Sequence, residues 1–175
     1  MKTILRALSF VAFVSFCSTS ALAAPEAFKV AGINFKRPAA WEWVETDGQM
    51  RKAQLKISGA DKKESADVIF FYFGAGGGGG VQANVDRWFS QFQDAKNKKT
   101  DSVTVGTSKV TYVEAEGTYL SGPPGGTKTP MPNHALLGAI VEGAEGSVFI
   151  RMAGPTAVTK GAAADFKKMI ESGLK

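Results

Sequence analysis

The hydrophobic positions of this chain change period several times, and each change marks an element. Val30 to Phe35 reads as a first short strand ended by Arg37-Pro38, and Trp41 to Val44 as a second. Ala53, Leu55 and Ile57 alternate with Gln54 and Lys56, the period-2 pattern of a half-buried strand. Val68-Ile69-Phe70-Phe71-Tyr72-Phe73 has no charged or strongly polar position, which predicts a strand covered on both faces. Gly74 and then Gly76 to Gly80 end it.

Beyond the glycines the period becomes helical. Val81, Val85, Trp88, Phe89 and Phe92 fall at i, i+4, i+7, i+8 and i+11 on one face, with Asn84, Arg87 and Gln91 opposite. Lys96, Lys98 and Lys99 follow, where cations suit the negative end of a helix dipole. Ser102 to Val105 and Lys109 to Tyr119 read as a hairpin turning at Gly106-Thr107. Ala135 to Glu142 and Ser147 to Ala153 read as another, around Gly143-Ala144-Glu145-Gly146. Between them, Leu120 to His134 holds four prolines and three glycines and is expected to be irregular. After Gly154-Pro155, the spacing of Phe166, Met169, Ile170 and Leu174 predicts a C-terminal helix. The element order implies an α+β fold, an antiparallel sheet covered by helices on its faces.

The first residues have a different character. Lys2 and Arg6 precede an apolar run from Ala7 to Phe16, and Ala21-Leu22-Ala23 offers a small-x-small cleavage site, so residues 1–23 read as a signal peptide. The run is about half the roughly 20 residues that a membrane-spanning helix needs. The expected mature chain, residues 24–175, is one exported domain, periplasmic or extracellular, without a transmembrane helix. Removing Lys2 and Arg6 lowers the formal charge from +5 to +3, which suits solubility and does not call for nucleic acid. The single cysteine, Cys17, lies inside the leader, leaving the mature chain without thiol, disulfide or thiolate metal ligand.

Three phrases carry a resemblance: Phe35-Lys36-Arg37-Pro38-x-x-Trp41, the glycine run leading into Asn84-Val85-Asp86-Arg87-Trp88, and Gly154-Pro155 before the last helix. They resemble a family of uncharacterised secreted bacterial proteins whose layout is similar to that of the photosystem PsbP subunit and the Ran-binding protein Mog1. The resemblance implies the sandwich architecture and a binding or assembly role. It supplies no catalytic residues, and a shared fold does not by itself give a function.

Candidate chemistry is sparse. Gly74-Ala75-Gly76-Gly77-Gly78-Gly79 matches G-x-G-x-x-G and joins a strand to a helix, where backbone amides and the helix terminus can hold an anion. No Lys-Ser/Thr pair completes a phosphate loop, and hairpins replace the parallel units of a dinucleotide fold. The ordinary reading of Gly76, Gly77 and Gly78 is a turn. Asn84 and Arg87, three apart, share a helix face and either bind a ligand or pin that turn. His134, the one histidine, cannot build a zinc site alone. Lys128 and His134, in the proline-rich segment, complete the candidate binding set. Glu114 and Glu116 lie roughly 6.6–7 Å apart on one strand face, but a glycosidase pair flanks a cleft from separate elements. No nucleophile, base and orienting group converge, so no enzyme, metal or cofactor is expected. The expected function is an exported binding or assembly module of the cell envelope, contacting a protein or envelope component through the proline-rich segment or the helix-entry glycines. The alternative is a small-ligand or anion binder at the glycine junction.

Overall fold

The computed structural model describes residues 26–123 and 125–175; the expected signal peptide lies outside the described residues. Two strands, β1 (Ala27–Val30) and β2 (Ile33–Lys36), pair as a small antiparallel hairpin. The expected single strand over Val30–Phe35 is therefore two. Ala31 and Gly32 both take positive φ, 47° and 79°, which folds the chain back between them.

The main sheet uses β3 (Glu42–Val44), β4 (Arg51–Ser58), β5 (Ser65–Tyr72), β6 (Lys96–Val105), β7 (Ser108–Ser121), β8 (Thr129–Gly143) and β9 (Gly146–Pro155). Its order is β3-β4-β5-β9-β8-β7-β6, with every pairing antiparallel. Helix α1 (Val81–Phe89) follows β5, and α2 (Thr156–Gly161) and α3 (Ala163–Ser172) close the chain. The fold is α+β around a mostly antiparallel sheet.

Alternation along the strands splits the core into two clusters. Val110, Ala139, Val141, Ile150 and Met152 point to one side, with Phe166, Met169 and Ile170 of α3 and Phe35 of β2. Val113, Leu136, Ile140 and Phe149 point to the other, with Val85 and Trp88 of α1. At the centre of that second face Trp88 lies over Gly138, where a Cβ would stand 2.2 Å from the indole. A fully buried side chain of this size contributes about 1.5–3 kcal/mol from apolar burial alone.

Several boundaries differ from the pattern reading. The helix stops at Phe89, not Phe92, because Phe92 leaves it to form a bridge with Tyr119 while remaining buried. Lys96, Lys98 and Lys99 belong to β6 and do not cap a helix. Leu120–His134 is mostly strand: β7 runs to Ser121 and β8 begins at Thr129, leaving only a short tip. Prolines 130 and 132 are tolerated because β8 meets β9 only from His134 onward, so their missing N–H groups break no second ladder. In β5, Val68 and Phe70 are sealed and Ile69 nearly so, yet Phe71 is half-buried and Phe73, past the strand end, is 40% exposed. Two-sided cover thus reaches only the first part of that run.

Gly138→Ala is expected to destabilise the fold by about 1–3 kcal/mol through overpacking against Trp88. Urea denaturation would measure it, and the penalty should shrink in a Trp88→Leu background, where the colliding ring is gone.

Candidate binding surfaces

The candidate residues fall into two groups at opposite ends of the sheet. Gly76, Gly77, Gly78, Asn84 and Arg87 lie by the β8–β9 turn, where Gly146 approaches the Gly74 carbonyl. Lys128 and His134 lie at the other end of β8, about 30 Å away at roughly 3.3 Å per strand residue. One ligand cannot touch both.

The glycine group is a knot tied from inside. Asn84 is 1% exposed and its amide donates to the Gly78 and Gly80 carbonyls, 2.9 Å each. Arg87 in turn donates to the Asn84 Oδ1, and Gly77 N–H to the Gly74 carbonyl at 3.1 Å. A Cβ on Gly78, whose φ is +85°, would stand 2.5 Å from the Phe149 ring. On Gly77 it would stand 2.2 Å from the Phe73 carbonyl. These glycines let the backbone lie against the second core, and the Asn84 amide satisfies the Gly78 carbonyl and adds to the bond that the Gly80 carbonyl already accepts from Asn84 N–H at 3.2 Å.

The other group belongs to a hairpin whose far part, past Gly117 and His134, has no strand partner among the described residues but itself and residues 91–93; at its root the Thr156 hydroxyl donates to the Asn133 carbonyl at 2.9 Å. Lys128 Nζ donates to the Gly122 and Pro123 carbonyls at 3.1 and 2.7 Å, fixing the tip. His134 Nδ1 lies 2.9 Å from the Pro132 carbonyl, and its ring stacks on Tyr119 with centroids 6.4 Å apart. Tyr119 also meets Phe92 edge-on at 5.5 Å and reaches Gln91 through its hydroxyl at 3.2 Å. Met131, on β8, is 37% exposed.

Pattern reading missed the groups that root this hairpin. Asp94 accepts the Thr118 backbone N–H at 2.5 Å, which holds its carboxyl below the ordinary 3.8. Glu116 meets Lys160 of α2 at 2.8 Å and Asn97 at 3.2 Å; the Lys160 bond chiefly holds it below the ordinary 4.5. Glu114 shares that strand face but not that partner, so the two acids do not act as a pair. Arg151 is half-buried: it donates to Gln91 at 2.9 Å and lies 5.9 Å from the Phe71 ring centre. No periodicity marks such contacts, because they join residues distant in sequence.

Asn84→Ala should cost about 1–3 kcal/mol by leaving the half-buried Gly78 carbonyl without its amide donor and the Arg87 guanidinium without its acceptor, and should speed hydrogen exchange at Gly77. Urea titration and amide exchange would read both effects. For Asp94 and Glu116 the folded pKa is depressed, so their stabilisation is present above the unfolded value and fades as pH falls through the folded one. Stability should therefore decline below about pH 4, and Asp94→Asn with Glu116→Gln should flatten that part of a urea-midpoint profile between pH 6 and 3.

No family model matches this chain, and no curated protein does. Among solved structures it is similar to the solution structure of cyanobacterial PsbP (CyanoP) from Synechocystis sp. PCC 6803. The TM-score is 0.54 at 12% identity, over 91% of this chain and 96% of that one. At such identity the likeness concerns the fold and carries no site across. The layout of this chain is PsbP-like.

Proposed function

We propose that this chain is an exported, non-enzymatic binding or assembly module of the cell envelope, and that it engages a protein partner through the β7–β8 hairpin. The observation that carries the reading is the hairpin itself, a two-stranded arm extending past β9 with its tip fixed by Lys128. A pre-organised arm loses little conformational freedom on binding, which favours recognition. Met131 supplies an exposed apolar contact, and Pro130 and Pro132 keep the arm from aggregating along its edge. Helices packed over both sheet faces would leave the arm and the strand edges as the surfaces for partners. Export rests on Lys2, Arg6, the apolar run and Ala21-Leu22-Ala23.

The alternative, an anion held by Gly76–Gly78 and Arg87, has less support. Asn84 and Arg87 spend their polar groups on the loop and on each other, so a ligand would have to displace those bonds.

A photo-crosslinking residue at position 131, introduced in the native host, should trap a defined envelope partner. Replacing residues 123–127 with a two-residue turn should abolish that product while the circular dichroism spectrum stays unchanged. Crosslinking that survives the trimmed tip would refute the arm as the contact, and an N-terminus still at Met1 in the exported fraction would refute the leader.

A further inference from the structure

Where α3 passes β7 and β8 the packing is incomplete. Ala163, Phe166 and Lys167 share one side of α3, since positions three and four apart are neighbours on a helix. Facing them are Tyr112 and Glu114, two apart on one face of β7, and Leu137, the cross-strand partner of Glu114. Alanines 163 and 164 are too short to close the space, and a cleft of about 200 Å3 remains between helix and sheet. Leu137 and Phe166 are buried whereas Ala164 and Lys167 are exposed, so the cleft runs from the surface to the core.

Three polar groups in its lining are not used by the fold. Tyr112 is 7% exposed, and its hydroxyl has no hydrogen-bond partner among the described residues. Burial, with the Glu171 charge adding to it, pushes that hydroxyl up to about 12, so it stays protonated and remains a donor. Lys167 lays its ammonium over the Tyr112 ring, 5.3 Å from the centre, and has no carboxylate partner among the described residues. Glu114 is half-buried, and its carboxylate makes no hydrogen bond or ion pair among them; Lys99, across from it in β6, is held by Asp101 at 2.8 Å. Opposite charges thus line one cleft without meeting, beside an orphaned donor, and native folds rarely leave buried polar groups idle.

We propose that this cleft binds a free α-amino acid with an apolar side chain of leucine or phenylalanine size. The side chain enters between Leu137 and Phe166, Lys167 and the Tyr112 hydroxyl take the carboxylate, and Glu114 takes the ammonium. Volume sets the body of the ligand. A cavity of about 150 Å3 holds benzene, and sites for larger ligands start at about 300 Å3. Charge sets its head. A lone carboxylate would face Glu114 and a lone amine would face Lys167, whereas one small molecule bearing both answers both. A peptide terminus carries only one of the two. Lys167, exposed and resting on the Tyr112 ring, reaches the carboxylate by shifting off that ring. The cleft lies on the body of the sheet and does not depend on the arm, which begins beyond Glu114 at Gly117.

Titrating the isotope-labelled protein with L-leucine and L-phenylalanine should shift the amides of residues 112–114, 137 and 163–167 and leave the arm's tip unmoved. Leucinamide and N-acetyl-leucine, each lacking one charge, should bind about tenfold more weakly or worse. Lys167→Gln should erase the preference for leucine over leucinamide, and Glu114→Gln the preference for leucine over N-acetyl-leucine, a pattern that loss of folding would not produce. Ala163→Leu fills the cleft and should abolish binding without lowering the thermal midpoint. Absent shifts, equal binding of the capped derivatives, or binding that survives Ala163→Leu would each overturn the proposal. The trimmed-tip variant should bind leucine as the parent does, so failure of the arm and failure of the cleft are read apart.

Discussion

The contact on which the molecule depends is the indole of Trp88 laid over Gly138. Gly138 pairs with Val113 on one side and Arg151 on the other, so the missing Cβ opens the sheet surface near its middle. Trp88 fills that opening and fixes where α1 stands. What α1 fixes next is the chain on both of its flanks. Before it, Asn84 holds the glycine turn; after it, residues 91–93 bind β7 and root the arm. A shift of α1 would therefore be felt at both ends of the sheet, because close-packed interiors transmit displacement.

How much was legible in the sequence follows from which interactions are local. Alternation at Ala53–Ile57 and the hairpin around Gly143-Ala144-Glu145-Gly146 gave strands in place, and Phe166, Met169 and Ile170 gave a buried helix face. Composition misled where local rules were overridden by pairing. Prolines and glycines between Leu120 and His134 speak for a loop, yet cross-strand bonds and the Tyr119–His134 stack hold most of it extended. Lys96–Lys99 looks like the tail of a helix, but β7 recruits it as a strand partner. Phe92 fits the helical stripe in spacing and in burial; only its backbone departs.

The candidate residues were visible, but not their relation. Asn84 and Arg87 being three apart on a helix is a sequence fact; that the Asn84 amide turns back onto the Gly78 and Gly80 carbonyls is not. The same fold-back explains why a G-x-G-x-x-G match at a strand-to-helix junction is weak evidence for a phosphate. In an anion site the loop directs N–H groups at the ligand. Here at least two loop carbonyls and one loop N–H are engaged within the loop and by Asn84.

The treatment of edges gives the surface its logic. β3 ends the sheet on one side with only three residues, Pro130 and Pro132 guard the arm's β8 side, and residues 91–93 cover its β7 side. β6, at the other end of the sheet, is protected only over its first half, where the register shifts between Lys96 and Lys99. Guarding an edge is a solution to aggregation, and it is also a map of where pairing is permitted. Lys96 of β6 pairs with Glu116, one residue before the arm begins at Gly117, so the guarded half of the edge and the root of the arm form one corner. Asp94, Glu116 and Lys160 tie that corner together. The regular half of β6 thus presents its backbone donors and acceptors beside a corner in which Lys99 is held by Asp101 and Lys160 by Glu116.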